Sequence, residues 1–550
     1  MRGKRVKKDK VVVPPCREAC PAGVDVPRYL RCIREGNYDE SLAVIREKIP
    51  LPTVCGDACF NPCEDACAYK QFGDPIAIRA LKRAAVDRGG ELWKKNKKVA
   101  PDTGKKIAII GAGPAGLTAA YYLKTLGHEV MLYDSFPKPG GMMRYGIPKY
   151  RLPEERLDRD IEEIMALGVN FIPNTTIGKE ISLDDLKKDY DAILFTIGAN
   201  ASRKVDIEGV DKSGVLWGLD FLRGVAQGQS TAFKGDVIVV GGGNVAIDVA
   251  LTAKRLGARN VQLVCLEKRE EMPAHEWEIA RAEEEGVIIH NSWGPRKIMG
   301  NGNVEGVEFV KCISVFDKSG NFNPAYDEKV TNILEADNVV LAIGQSSKLD
   351  FLQDKSGGIS VKGGLIEVDE TTLSTGEKGV FAGGDIVTGP ASIIDAIAHG
   401  RKAAVSIDKY LGGQGIIDEQ LAPPEEEVII LEPIRKVKPR VQMPLLDVRE
   451  RSTCFEQVER GLNEDDAVVE AERCLCCDVR EFDVVVYSEN CKECGYCAEL
   501  CGLGIFAPAD YFNSKGYRPM VTTNSEKCVG CLRCFYACPD YAIDVREVSA

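Results

Sequence analysis

An excess of positive charge is the first thing missing from this chain. Its 71 Lys and Arg stand against 83 Asp and Glu, a net charge of −12. That balance argues against a nucleic acid as principal ligand, because phosphate binding needs a positive surface. Long apolar runs are missing too. The longest stretch, Val237 to Ala253, is interrupted by three glycines, Asn244 and Asp248, so no membrane insertion is expected. The one basic run, Met1 to Lys10, holds six Lys or Arg and is followed by no apolar h-region, so it reads as a solvated, frayed tail rather than a signal peptide. Cysteine is scarce in the long middle, where only Cys265 and Cys312 occur between Cys67 and Cys454.

What is present is more specific. Apolar residues make up 44% and charged residues 28% of the 550, so the chain can bury sizeable cores, and its length predicts three or more domains. Of the 21 cysteines, seven lie between Cys16 and Cys67 and twelve between Cys454 and Cys538. In a cytoplasmic, reducing setting, which is the expected location, clustered cysteines read as metal ligands rather than disulfides.

The C-terminal cluster carries the sharpest spacing. Cys491-x2-Cys494-x2-Cys497-x3-Cys501 is repeated as Cys528-x2-Cys531-x2-Cys534-x3-Cys538-Pro539. A [4Fe-4S] cubane takes three thiolates from one tight loop, and in two-cluster ferredoxins the fourth comes from the other run. Cys491, Cys494, Cys497 and Cys538 are therefore expected to hold one cluster, and Cys528, Cys531, Cys534 and Cys501 the other. Gly502 stands where a proline often follows the fourth cysteine. Zinc knuckles, the alternative, usually take two cysteines per loop rather than four.

In the middle, the β-rich run Lys106 to Ile110 leads into Gly111-Ala-Gly113-Pro-Ala-Gly116, a helical pattern, and a second strand ending at Asp134. Glycines permit the tight turn and close approach to a pyrophosphate, the helix N-terminus faces it, and the acid takes ribose hydroxyls. A second copy runs from Asp236 through Gly241-Gly-Gly243-Asn244-Val245-Ala246 to a strand ending at Glu267. Two nucleotide sites imply one tight prosthetic group and one exchanging coenzyme, and flavin with nicotinamide is the natural pair. Gly379-Val-Phe-Ala-Gly-Gly384-Asp385 is similar to the flavoprotein segment whose aspartate binds the ribityl chain; a helix cap is the plainer reading of Asp385 alone.

The body resembles the two-dinucleotide-domain flavoproteins, and among them the small subunit of NADPH-dependent glutamate synthase and its relatives. The resemblance is carried by Gly140-Gly141-Met-Met-Arg144-Tyr-Gly-Ile-Pro148, Arg151-Leu-Pro153, Thr196-Ile-Gly-Ala-Asn200, Glu271-Met-Pro-Ala274 and Ala342-Ile-Gly-Gln345, over about residues 10 to 480. It implies an FAD domain in two segments with the nicotinamide domain inserted between them. Gly111, Gly113, Gly116, Asp134, Gly140, Gly141, Arg144, Gly384 and Asp385 are the expected FAD contacts; Gly241, Gly243, Asn244, Val245 and Glu267 are those for NAD(H). NADPH-using relatives carry two arginines where this chain has Leu266 and Glu267. A carboxylate there accepts bonds from a free 2′-hydroxyl and repels a phosphate, so NAD(H) is favoured over NADP(H), although Lys268 and Arg269 lie close enough to swing in.

At the N-terminus, Cys16-x3-Cys20 is followed by Cys55-x3-Cys59-x3-Cys63-x3-Cys67. Relatives of glutamate synthase and the N-terminal part of dihydropyrimidine dehydrogenase place two [4Fe-4S] clusters here, with an Arg-Cys-x2-Cys element just upstream. This chain lacks that element before Cys16 but has Arg473-Cys474-Leu-Cys-Cys477 at the end of an acidic stretch, Phe455 to Arg473, expected to be helical. The resemblance thus implies a permuted site of Cys16, Cys67, Cys474 and Cys477; the plainer alternative is that the last two merely end a helix. A second cluster would take Cys20, Cys59 and Cys63. Its fourth ligand in relatives, a side-chain oxygen, falls at about Lys82, which leaves Cys55 as the substitute and Cys476 as the alternative.

The expected fold is multidomain α/β, with two Rossmann-like dinucleotide domains between a helical iron–sulfur domain and an α+β domain like bacterial ferredoxins. Its bounds are 1–100 for the helical cluster domain, 101–205 and 345–413 for FAD, 206–344 for NAD(H), 414–478 for a linker (extended over Gly412 to Arg440) and closing helix, and 479–550 for the ferredoxin domain. Nicotinamide gives up hydride, flavin can release electrons singly, and clusters take one at a time. The expected function is an NADH-linked electron-transfer subunit with FAD and four [4Fe-4S] clusters, serving a catalytic partner subunit or ferredoxin. A stand-alone NAD(P)H:ferredoxin oxidoreductase and a nucleotide-regulated, non-catalytic cluster scaffold are the alternatives. No histidine has an assigned catalytic role, and two distant central cysteines do not make a disulfide reductase.

Overall fold

The computed structural model describes residues 3–7, 12–229, 232–352, 358–431 and 438–548. They fall into two compact units, one of Met1–Lys98, Asp418–Met443 and Gly461–Ala550, the other of Val99–Ile417 and Pro444–Arg460.

The larger unit is organised by two parallel sheets of five strands. The first runs Val380–Ala382, Ala192–Phe195, Lys106–Ile110, Glu129–Tyr133, Asn170–Ile172. Its inner strands are nearly continuous apolar runs, as a sheet covered on both faces requires. Helices Pro114–Thr125 and Ile393–Tyr410 pack on each other, and the second opens with a reciprocal cap between Ser392 and Asp395. The edge strand Val380–Ala382 thus joins a sheet whose other strands precede it by almost two hundred residues. The second sheet runs Ile288–Asn291, Val261–Cys265, Val237–Val240, Asn338–Leu341, Val215–Trp217. An antiparallel sheet of Trp293–Met299, Gly306–Phe316 and Phe322–Glu335 accompanies it.

In the smaller unit, helices Val26–Arg34, Tyr38–Arg46, Pro52–Ala58 and Ile78–Arg88 bury Tyr29, Leu30, Leu42, Val54 and Leu81. Helix Glu464–Ala471 lies against the first and last of them. The stretch Phe455 to Arg473 is therefore helical only in its second half. Gly461 takes a left-handed φ of 84°, and Asn463 caps the helix by accepting the Asp466 N–H at 2.8 Å, so the helix cannot extend backwards. The N-terminal tail also differs from expectation. Gly3–Lys7 form a strand paired antiparallel with Glu427–Leu431, so neither the basic run nor the Gly412 to Arg440 segment is structureless throughout. Residues 1–2 and 8–10 of that run, and 432–437 of that segment, lie outside the described residues.

The end of the chain pairs Phe482–Val486 with Ile543–Glu547 and Phe506–Pro508 with Met520–Thr522. Short helices Tyr496–Leu500 and Arg533–Ala537 follow the two cysteine loops, and Val484, Ile505, Phe506 and Ile543 form a core with Cys491, Cys497 and Cys534. Among the described residues, no helix is long and apolar enough to cross a membrane.

Candidate redox sites

The first sheet's carboxyl edge opens into a cleft, the place where doubly wound parallel sheets bind their ligands. Gly111, Gly113, Asp134, Gly141, Gly384 and Asp385 line it. Gly111 has φ 110°, and a Cβ there would lie 2.4 Å from the Thr196 carbonyl, so only glycine brings the loop this close to the neighbouring strand. Asp134 accepts the Ala112 N–H at 2.7 Å and the Phe136 N–H at 2.9 Å, holding the loop while its carboxyl is raised by burial. Burial likewise pushes Asp385 up to about 6, against one N–H from Ala391. Gly116, Gly140 and Arg144 are not part of the cleft lining: Gly116 packs under the Gly111 carbonyl, and buried Arg144 donates to Pro139 O and pairs with Asp158. Sequence reasoning missed Phe136 and Tyr145, stacked with centroids 4.4 Å apart, and Arg223, whose guanidinium sits 5.3 Å from the Phe136 ring. All three line the cleft. Tyr145 sits inside the Gly140–Pro148 motif and Phe136 two residues past Asp134, so position alone was the available signal.

The second sheet repeats the device. Gly241 has φ 142°, and a Cβ there would meet the Ala342 carbonyl at 2.3 Å. Gly243 precedes the helix Asn244–Arg255, whose first turn includes Val245. The Asn244 side-chain oxygen accepts the His275 N–H at 2.9 Å and Ala274 N–H donates to Gly242 O at 3.1 Å, tying the Met272–Ala274 segment over the loop. Half-buried Glu267 presents its carboxylate to the same glycines; a Cβ at Gly242 would be 2.6 Å from Oε2. Burial raises its pKa. Lys268 is engaged by Glu271 at 3.4 Å and Arg269 by Glu276 at 2.7 Å. Arg151 joins the two nucleotide folds by pairing with Asp248 and Glu278 at 2.8 Å each.

The N-terminal thiols form two adjoining neighbourhoods that meet at Cys63. Burial pushes Cys16 well up, and the thiols of Cys477, Cys67 and Cys63 push it further; burial and then Cys67 and Cys476 do the same to Cys477, while Cys474 is engaged by Cys476 and then Cys477. Cys20, Cys55, Cys59 and Cys63 instead surround Lys82, which is 4% exposed. Burial alone would pull that ammonium down, and the four sulfurs hold it up. The Cys474 loop is anchored by buried Arg473, which donates to the carbonyls of Asp74 (2.6 Å), Lys438 (3.1 Å) and Pro75 (3.3 Å), stacks on Tyr69 and pairs with Glu470. Glu470 accepts the N–H groups of Ala77 and Val441, both at 2.8 Å. Arg31 holds Asp478, next to Cys477, at 2.7 Å.

In the C-terminal domain, Cys501, Cys528, Cys531 and Cys534 line one small cavity, and burial followed by the other three thiols pushes Cys534 up to about 12. Cys491 and Cys497 are buried, Cys538 half-buried and Cys494 exposed. Met520 N–H donates to Cys491 Sγ at 3.4 Å and Ala542 N–H to Cys538 Sγ at 3.2 Å.

With this geometry in hand, the chain belongs to the pyridine nucleotide-disulphide oxidoreductase family, whose model matches residues 105–400. Residues 10–92 match the 4Fe-4S domain II of dihydropyrimidine dehydrogenase, and 490–542 a 4Fe-4S dicluster domain. The chain is 40% identical over 503 residues, 85% of its length and 71% of the relative's, to the beta subunit of NADP(+)-dependent formate dehydrogenase from Moorella thermoacetica. It is 32% identical over 418 residues, 72% of its length and 89% of the relative's, to the small chain of glutamate synthase [NADPH] from Escherichia coli K12. It is 35% identical over 407 residues, 72% of its length and 91% of the relative's, to subunit PreT of NAD-dependent dihydropyrimidine dehydrogenase from Escherichia coli O157:H7. It is an NAD(P)H-dependent oxidoreductase that binds FAD and 4Fe-4S clusters and transfers electrons between them.

Proposed function

We propose that this chain is the NADH-linked electron-transfer subunit of a larger oxidoreductase, holding FAD in the cleft of the first sheet and four [4Fe-4S] clusters on sixteen of its cysteines. When bound, FAD would supply two-electron hydride chemistry and the clusters one-electron transfer. The residues do the rest. Asp134 and Asp385 would hold the flavin's ribose and ribityl hydroxyls, and Glu267 would accept the 2′- and 3′-hydroxyls of an adenosine ribose. Cys16, Cys67, Cys474 and Cys477 hold one N-terminal cluster; Cys20, Cys55, Cys59 and Cys63 hold the other, with Cys55 in the place that Lys82 cannot fill. Lys82 and Arg473 offset negative charge that burial would otherwise disfavour.

The observation that carries this reading is the grouping of thiols. Cys501 lies with the run Cys528 to Cys534 around one cavity, as crossed ligation of two cubanes demands, and Cys477 lies with Cys16 and Cys67 although 461 residues separate it from Cys16. Two of the relatives compared are named for NADP(H) and one for NAD, so the coenzyme rests on this chain's own Glu267, with Lys268 and Arg269 already paired to acids. Relatives named as a beta subunit, a small chain and subunit PreT support a catalytic partner as the electron acceptor or donor. Anaerobic addition of NADH to the purified chain tests the reading. Bleaching of the flavin is expected, with about sixteen irons per chain at four per cubane. Deleting residues 481–550 should preserve that bleaching and abolish reduction of the partner. A chain whose flavin NADH leaves oxidised would be a cluster scaffold instead.

A further inference from the structure

The cavity lined by Cys501, Cys528, Cys531 and Cys534 has one wall residue from far away in the sequence, Gln71. It ends the short 3-10 turn Ala68–Gln71, which begins directly after Cys67. Its Oε1 is buried and has no hydrogen-bond partner, an uncommon condition for an amide. A Cβ on Gly502 would come within 2.6 Å of its Nε2. Gly502, the residue that departs from the usual proline, thus leaves room for the amide in its present position. The amide beside the other quartet, Asn513, is already spent on the Ser488 and Cys491 carbonyls at 2.9 and 2.8 Å, and Cys494 is exposed.

We propose that Gln71 completes the inner ferredoxin site: its amide donates a hydrogen bond to a sulfur of the cluster that Cys501, Cys528, Cys531 and Cys534 hold, and Gly502 is glycine to admit it. The proposal rests on the cluster reading above and assigns what that reading leaves open, namely which C-terminal site adjoins the N-terminal cluster domain and which one a partner meets. A half-turn of the carboxamide brings either end to the cavity, so an N–H can face the sulfurs while the oxygen turns away. A hydrogen bond to cluster sulfur stabilises the more negative, reduced state and so raises the reduction potential. The Cys491, Cys494, Cys497 and Cys538 site, with a ligand at the surface, is then the outer one.

Redox titration of the full-length holo-chain followed by EPR tests this. Cys494→Ser first marks the outer cluster's signal. Gln71→Met, which keeps the length and loses the donor, should move the midpoint of the other C-terminal cluster to lower potential, leave the marked one in place and retain the iron. Gly502→Leu should displace Gln71 and reproduce the shift without touching Gln71 itself. An unmoved inner midpoint in both variants at full iron, or a shift of the marked outer signal, would overturn the proposal. A wild-type chain lacking the C-terminal iron would instead overturn the cluster reading beneath it.

Discussion

The two cysteine-rich ends of this chain solve the same problem with opposite means. In the C-terminal domain every thiol of both quartets lies within 48 residues, on loops followed by short helices, and Cys494 reaches the surface. In the N-terminal domain the thiols are mostly buried, one set draws on Cys477, and buried Lys82, Arg31 and Arg473 supply positive charge. Water can screen charge at a shallow site; a deep site must be given its counter-charges by the fold. The difference also explains why the C-terminal thiol quartets were readable as a spacing and the proposed N-terminal ones only by resemblance.

The sharpest way to break the comparison is to remove the distant thiols. Cys474→Ala with Cys477→Ala should cost about four irons per chain and leave both ferredoxin signals intact. Iron analysis with EPR decides it, and a full complement would make the N-terminal clusters as local as the C-terminal ones. Next is the counter-charge. Arg473→Met leaves Glu470 buried with its two N–H donors but no counter-charge and should destabilise the smaller unit by about 3–5 kcal/mol, read as a lower Tm. Arg518→Met, at an exposed pair with Glu493 in the C-terminal domain, should change it hardly at all.

Two further changes leave both ends alone and so act as controls on the comparison. Glu267→Arg should lower the ratio of kcat/KM for NADH over NADPH by about tenfold to a hundredfold, the worth of a charged hydrogen bond, with iron content unchanged. A wild-type preference for NADPH would defeat the role given to Glu267. The smallest effect concerns Asp385. Its folded pKa of about 6 lies above the ordinary aspartate value, so the folded state holds the proton more tightly; its contribution is present at low pH and is lost as pH rises through 6. In the flavin-free chain, denaturant unfolding at pH 5 and pH 7 should show Asp385→Asn losing about 1 kcal/mol of the wild type's gain at the lower pH.

The nucleotide folds were legible because their signals are local: strand, glycine turn, helix and terminal acid follow one another at Lys106–Asp134 and again at Asp236–Glu267. The sheet of Trp293–Glu335 was not read, since Phe322–Glu335 is largely polar and exposed and Gly306–Phe316 leaves Ile313 and Phe316 exposed, so neither shows a regular apolar alternation. Gln71 could not be found at all. Nothing at residues 68–71 marks a polar side chain that will line a cavity built from residues more than four hundred positions later. Lys82 was placed as a misfit for a ligand role, but its depth among four sulfurs comes from how Pro52–Ala58 packs on Ile78–Arg88. Gly461 shows the same limit on a small scale, because its left-handed backbone, not composition, splits the acidic stretch into two units.

The meeting of Cys16 with Cys477 also sets a timetable for making the molecule. At roughly 5–20 residues per second, a ribosome needs about 20 to 90 s to reach Cys477 after Cys16 has been added. Through that interval the helices of the first hundred residues can form and gather Cys20, Cys55, Cys59 and Cys63, but the neighbourhood of Cys16 and Cys67 stays open on one side. A chain that stops early never closes it, so iron delivered to that position would reward only products whose synthesis has run nearly to the end.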